Sequence, residues 1–152
     1  MASSQTAPQV PDPVIRTAGD LPRFLAAVER KVSGRLAAAL QAAGSTLEQW
    51  RVLSLLADKR GHTMTELAEY ALVPAPTLTK VVDRMVAANL VHRRVDESDR
   101  RRVLALLTPR GRSVYRSLQQ RMEQEESELF VLLGGDAQEL CSLLVRADRR
   151  LP

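Results

Sequence analysis

Apolar residues return every three or four positions through the first third of the chain: Phe24, Leu25, Val28, Val32, Leu36 and Leu40. That spacing puts them on one face of an amphipathic helix. Asp20, with Pro22 behind it, suits the helix start, and Gly44 supplies a left-handed stop. A second stripe, Leu47, Trp50, Leu53 and Leu56, opens on the capping-box spacing of Ser45 and Glu48 and closes at Lys59-Arg60-Gly61. Trp50 has apolar neighbours at helical spacing, so it reads as a core or interface residue. Thr63 and Glu66 repeat the capping-box spacing and start a third helix, Met64 to Ala71, with Leu67 and Ala68 facing inward. After the turn Leu72-Val73-Pro74, Pro76 falls in the first turn of a fourth helix, Ala75 to Ala88. Its buried stripe is Leu78, Val81, Val82 and Met85. Asn89 stands where that helix must stop, and asparagine tolerates the left-handed conformation.

Beyond Asn89 the pattern changes to short strands. Val91 to Val95 and Arg102 to Leu107 flank the charged tip Asp96-Glu97-Ser98-Asp99-Arg100-Arg101. Thr108-Pro109 then reads as a cap followed by proline at the first helical position, opening a long fifth helix to about Leu133. Gly134-Gly135 breaks it, and the Asp136/Glu139 spacing opens a short last helix carrying Leu140, Leu143, Leu144 and Leu151. The fold class predicted is mainly α with a small β wing. A winged helix-turn-helix lobe spans residues 45–112, helical segments 19–44 and 109–152 flank it, and residues 1–18 form a Ser-, Gln- and Pro-rich tail. The end helices carry more apolar stripe than one lobe can cover, which predicts a twofold homodimer.

Charge sharpens this picture. Residues 59–112 hold eleven Lys/Arg against six Asp/Glu, while the whole chain has a net charge of only +4, so the rest is slightly acidic. The positive excess sits on the helix-turn-helix stretch, where phosphate neutralisation would use it. In the fourth helix Thr77, Lys80 and Arg84 share a face away from the apolar stripe. Lys80 and Arg84 are like charges four residues apart, a repulsion that a polyanion would turn into attraction. A helix pair followed by a basic hairpin suits double-stranded DNA, one helix in the major groove and the hairpin beside it.

The order of these segments resembles the MarR family of bacterial transcriptional regulators over roughly residues 20–150. Asp99-Arg100-Arg101 followed by Leu107-Thr108-Pro109-Arg110-Gly111 is similar to that family's wing pattern. Glu66-Leu67-Ala68, Pro76-Thr77-Leu78-Thr79 and Asn89-Leu90-Val91-His92-Arg93 support it. The resemblance implies that the first, fifth and sixth helices dimerise and that the fourth helix enters the major groove. It further implies that Arg101 enters the minor groove, oriented by Asp99. The candidate DNA-binding residues are Thr65, Pro76, Thr77, Thr79, Lys80, Arg84, Arg94, Asp99, Arg100, Arg101 and Arg102. Pro74 departs from the family pattern, standing where a capping Ser is common, and Asn89 replaces a usual Gly. The resemblance also implies a pocket for a small aromatic or phenolic effector. Candidate lining residues are Arg23, Phe24, Val28, Trp50 and Tyr115, with Arg23 or Arg30 as a carboxylate partner.

Other chemistries fit less well. The chain has no phosphate-cradling Gly-Lys-Ser/Thr loop, no Gly-x-Ser-x-Gly and no His-Glu-x-x-His, so no catalytic residue and no cofactor is expected. His62 and His92 each begin an expected strand, without a partner at catalytic spacing. A metal site built from them and Cys141 would need several carboxylates, so none is expected. Cys141, the single cysteine, reads as a buried helical thiol, and the absence of a disulfide pair agrees with a cytoplasmic protein. No apolar run reaches the roughly 18 residues of a membrane span. A regulator that senses metal or redox state, or a winged helix used only for protein contacts, remains the alternative reading.

Overall fold

A computed structural model describes residues 19–152, so the expected tail lies outside the described residues. In chain order the helices are α1 (Asp20–Ala42), α2 (Leu47–Leu56), α3 (Met64–Ala71) and α4 (Ala75–Ala87). Strands β1 (Val91–Val95) and β2 (Val103–Leu107) follow, then α5 (Pro109–Leu133) and α6 (Ala137–Asp148). A single 3-10 turn at Gly134–Asp136 separates the last two helices, which is where the paired glycines end the fifth. The mainly helical architecture with a small antiparallel hairpin agrees with the expected fold class.

The core gathers between α2, α3, α4, the hairpin and the near half of α5. Leu53, Leu56, Leu67, Leu78 and Met85 are essentially inaccessible, as are Val52, Val82 and Val91. Fully burying each such side chain stabilises by about 1.5–3 kcal/mol, so this cluster outweighs the exposed ion pairs described below. All four positions of the fourth helix's expected stripe are in it. β1 and β2 pair antiparallel from Val91↔Leu107 to Val95↔Val103, and His62 adds a one-residue bridge to Ala105.

Several ends differ from expectation by a residue or more. α1 is capped by Gly19 at φ 97°, so Asp20 lies inside the first turn and not at the cap. The α2 box is Thr46 with Gln49, one residue beyond Ser45 and Glu48; Ser45 is instead buried with its hydroxyl turned to Gln49. That helix stops at Leu56, because Lys59 (φ 66°) and Gly61 (φ 77°) are left-handed and turn the chain into the His62 bridge. The strand after the tip starts at Val103, so Arg102 belongs to the turn. Asp136 is helical and caps nothing, and Leu151 lies beyond α6. Cys141 is exposed, because nothing in the single chain covers that face of α6. The Thr63/Glu66 box, the left-handed Asn89 (φ 57°) and the Thr108 cap of α5 all form.

The Thr108 cap has a wider role. Its Oγ1 accepts from Gly111 N at 2.9 Å and donates to Asn89 O at 2.7 Å, while Thr108 N donates to Leu90 O at 3.0 Å. The first turn of α5 is thereby pressed onto the chain that leaves α4. A Cβ on Gly111 would stand 2.0 Å from Leu90 O, so only glycine fits. Gly111→Ala should therefore cost about 3 kcal/mol, at the upper end of overpacking changes. Gly135→Ala, whose Cβ meets nothing within 4 Å, should stay within about 0.5 kcal/mol of the parent. Urea denaturation of both variants checks the contrast.

Candidate nucleic-acid interface

Pro74 leads into α4 without a side-chain cap; its carbonyl accepts from Leu78 N at 3.0 Å, and Pro76 supplies a preset φ in the first turn. The buried stripe anchors one face of α4, which forces Thr77, Thr79, Lys80 and Arg84 outward, all exposed. Thr79 Oγ1 donates back to Ala75 O at 2.9 Å, and Arg84 Nε donates to Lys80 O at 3.2 Å. Arg84 therefore lies along its own helix, whereas the Lys80 ammonium makes no ion pair among the described residues. Thr65 is exposed on the first turn of α3, the helix preceding this one.

The hairpin tip is held by carboxylates acting on backbone. Asp96 N donates to Arg102 O and Arg102 N to Asp99 O, both at 2.9 Å. Asp96 Oδ1 accepts from Ser98 N at 2.9 Å and Ser98 Oγ at 2.7 Å, and the Ser98 hydroxyl holds the Asp96 carboxyl below its usual range. Asp99 Oδ1 accepts from Arg101 N at 3.0 Å. Asp99 thus grips the backbone of Arg101, not its guanidinium, because both lie in the turn. Among the described residues the guanidiniums of Arg94, Arg100 and Arg101 are exposed and make no ion pair. Arg102 differs: it faces Glu66 at 3.6 Å and Asp96 at 3.9 Å. Arg93, absent from the expected set, pairs with Asp83 of α4 at 2.7 Å and ties the hairpin to that helix.

His62 also has partners that spacing alone did not suggest. Its Nε2 lies 2.8 Å from Asp58 Oδ2 and its Nδ1 3.8 Å from Glu66 Oε2. Glu66 accepts from Thr63 N at 2.7 Å and Thr63 Oγ1 at 2.9 Å. Another missed contact is Arg51 Nη1 to Ala71 O at 2.9 Å, which satisfies a carbonyl at the end of α3. Neither cluster groups three or more metal-ligating side chains about one point among the described residues.

The expected effector residues fall into three places. Trp50 and Tyr115 stack on each other, ring centroids 5.4 Å apart and planes within 9°. Phe24 and Val28 instead line an apolar groove of about 470 Å³ between α1 and α6, with Leu21, Leu25, Val32, Leu140 and Leu144. Arg23 lies over the Phe24 ring at 4.3 Å and also faces Asp20 at 3.6 Å. Arg30 lines a separate cleft with Glu29 and Glu48. Sequence reasoning missed a cleft of about 380 Å³ beside Tyr115, lined by Ala57, Lys59, Leu107, Arg112 and Arg116. The signal available was the Arg112/Arg116 pair one turn apart, flanking Tyr115.

The Thr63 backbone N–H, followed by its hydroxyl, holds the Glu66 carboxyl below its ordinary value of 4.5. A carboxylate with a lowered folded-state pKa contributes stability that is present above the unfolded value and lost as pH falls through the folded one. The parent should therefore lose this contribution as pH drops below about 4.5. Glu66→Gln keeps a capping side chain but not the charge, so its deficit at pH 7 should shrink by pH 3. Thermal melts of both proteins across that range read the difference.

Comparison with known proteins places this arrangement. A profile described as MarR family matches residues 43–102. The HTH-type transcriptional regulator FarR of Neisseria gonorrhoeae is 32% identical over 97 residues, covering 64% of this chain and 66% of that protein, just under two thirds of its length. The transcriptional regulator HosA of Escherichia coli O111:H- is 33% identical over 101 residues, 66% of this chain and 75% of that one. Among solved structures, the MarR family transcriptional regulator SPO1453 from Silicibacter pomeroyi DSS-3 superposes with a TM-score of 0.75 at 31% identity, over 88% of this chain and 98% of the other. With its helix-turn-helix, hairpin and flanking helices in the same order, this chain belongs to the MarR family of transcriptional regulators.

Proposed function

We propose that this protein is a sequence-specific regulator that binds double-stranded DNA as a homodimer. It acts as a repressor on a pseudo-palindromic operator. The observation that carries the reading is the cluster of exposed cations on the helix-turn-helix and its wing. Arg35, Arg93 and Arg102 have carboxylate partners, whereas Lys80 on α4 and Arg94, Arg100 and Arg101 on the hairpin are exposed without one among the described residues. Unpaired cations on a helix-turn-helix and its wing match a phosphate surface. Lys80 lies in the N-terminal half of α4, the half of such a helix that meets base edges. Arg101 suits a narrow minor groove, whose enhanced negative potential attracts a guanidinium.

Two further parts of the reading have their own support. Leu21, Leu25 and Val28 of α1, Phe130 to Leu133 of α5, and Leu143 to Val145 of α6 are all at least 40% exposed. An apolar surface that large on the end helices marks an interface, and a second copy covers it with the same residues. The cleft beside Tyr115 joins an aromatic wall to Lys59, Arg112 and Arg116, which suits a small aromatic or phenolic acid whose binding releases the DNA. No described helix is long and apolar enough to cross a membrane.

Arg101→Ala should lower the slope of log affinity against log salt by about one and weaken binding most on sites with A·T-rich flanks. Arg101→Lys should restore only part, because an ammonium is more strongly hydrated. Lys80→Ala should cost on the order of 1–3 kcal/mol on the best site if it meets a base, and equal losses on specific and random duplexes would demote it to a phosphate contact. Titration of flank-swapped duplexes decides, and adding a phenolic carboxylate should weaken the parent but not Arg116→Ala. For assembly, sedimentation of the parent should give a dimer at low micromolar concentration, and Leu144→Glu should shift it towards monomer. A folded monomeric parent would sink the dimer.

A further inference from the structure

Arg102 and Glu66 carry an inference beyond this reading, though one that rests on it. On charge alone Arg102 belongs with Arg100 and Arg101 as a DNA contact. Its surroundings say otherwise. Its Nη1 faces Asp96 Oδ2 at 3.9 Å, and Asp96 is the carboxylate that organises the tip turn through Ser98. Its Nη2 faces Glu66 Oε1 at 3.6 Å. The other oxygen of Glu66 closes the capping box of α3 through both polar groups of Thr63. One carboxylate therefore fixes the first turn of α3 and reaches the wing, and α3 in turn packs against α4.

We propose that Arg102 is a brace and not a DNA contact, and that Glu66 is the positioning residue that sets where the wing stands relative to α4. The brace decides how well Arg101 reaches a groove while α4 is seated, so it governs flank preference without touching DNA. Both side chains are about half exposed, and an exposed pair alone is weak. Weakness suits the role: a bias of a few-fold in wing position passes directly into flank preference, while loss of the Arg102 pair itself hardly changes overall stability.

Glu66→Gln separates the brace from simple electrostatics. It leaves the lobe one charge more positive, so a purely electrostatic wing predicts tighter binding to every duplex. The brace predicts weaker binding, by about three- to tenfold on the A·T-flanked duplex and little on a G·C-flanked one. Arg102→Gln should reproduce that loss, and the double variant should be no worse than either single change. In the free protein, amide hydrogen exchange at Asp96, Ser98 and Arg102 should speed up several-fold in each variant, with the Val91 end of the ladder unchanged. The proposal is overturned if Glu66→Gln binds all duplexes more tightly, or if the two changes add and Arg102→Gln alone lowers the salt slope by about one. Unchanged exchange at the tip overturns it as well. If the parent binds no duplex, the DNA-binding reading fails and the positioning role with it, while exchange still reports whether the brace exists.

Discussion

The close approach of α5 to the backbone at Leu90 is the contact on which the lobe's geometry depends. Thr108 and Gly111 serve the same junction from two directions: the hydroxyl bonds to Asn89 O while capping the new helix, and the missing Cβ lets the helix come in. Asn89 in the left-handed region turns the chain out of α4 at that point, so β1 leaves along a direction that β2 and α5 can close. Packing and hydrogen bonding agree there, so the junction holds the base of the hairpin against the helix pair. The similarity of Leu-Thr-x-x-Gly to a family pattern thus has a steric basis in this chain.

Around that frame, the polar residues of the lobe divide into those that hold the structure and those left to meet a partner. Thr46, Thr63 and Thr108 cap helices, Asp96 and Asp99 bind turn amides, and Arg51 closes the end of α3. Arg93 and Arg102 connect the hairpin to α4 and α3 through carboxylates. What is left over on α4 and the hairpin is mostly positive: Lys80, Arg94, Arg100 and Arg101 against Glu97. A run of cations without carboxylate partners among the described residues, on α4 and the adjoining hairpin, is an arrangement that suits a polyanion.

The end helices present the opposite imbalance. α1 packs against α5, reinforced by Arg35 between Glu125 and Glu128, and Leu40, Leu118 and Met122 join the core with Leu36 packed against it. Towards α6 the apolar residues outnumber the surfaces available to cover them. Leu132 and Val131 are 70% and 81% exposed on adjacent positions, part of an apolar patch of the kind that marks an interaction surface. The same shortage leaves Cys141 open to solvent in one chain.

Periodicity alone determined the six helices, the hairpin and the buried stripe of α4, because burial on one face leaves a regular record at 3.6 or 2 residues. Left-handed Asn89 and the Thr63 and Thr108 caps were legible too, since only a few residue types serve those positions. Helix ends elsewhere slipped, as at Thr46, because neighbouring Ser and Thr can both cap and only packing chooses between them. At the tip, the family resemblance implied that Asp99 orients Arg101; the turn brought Asp99 onto the Arg101 amide and left the guanidinium without an ion pair among the described residues. The effector residues were scattered because an apolar position on a helix face does not say which neighbour it meets. Contacts distant in sequence, Arg93 with Asp83 and Arg102 with Glu66, were decided by tertiary structure alone: charge is local to a residue, but its partner depends on how far the chain folds back.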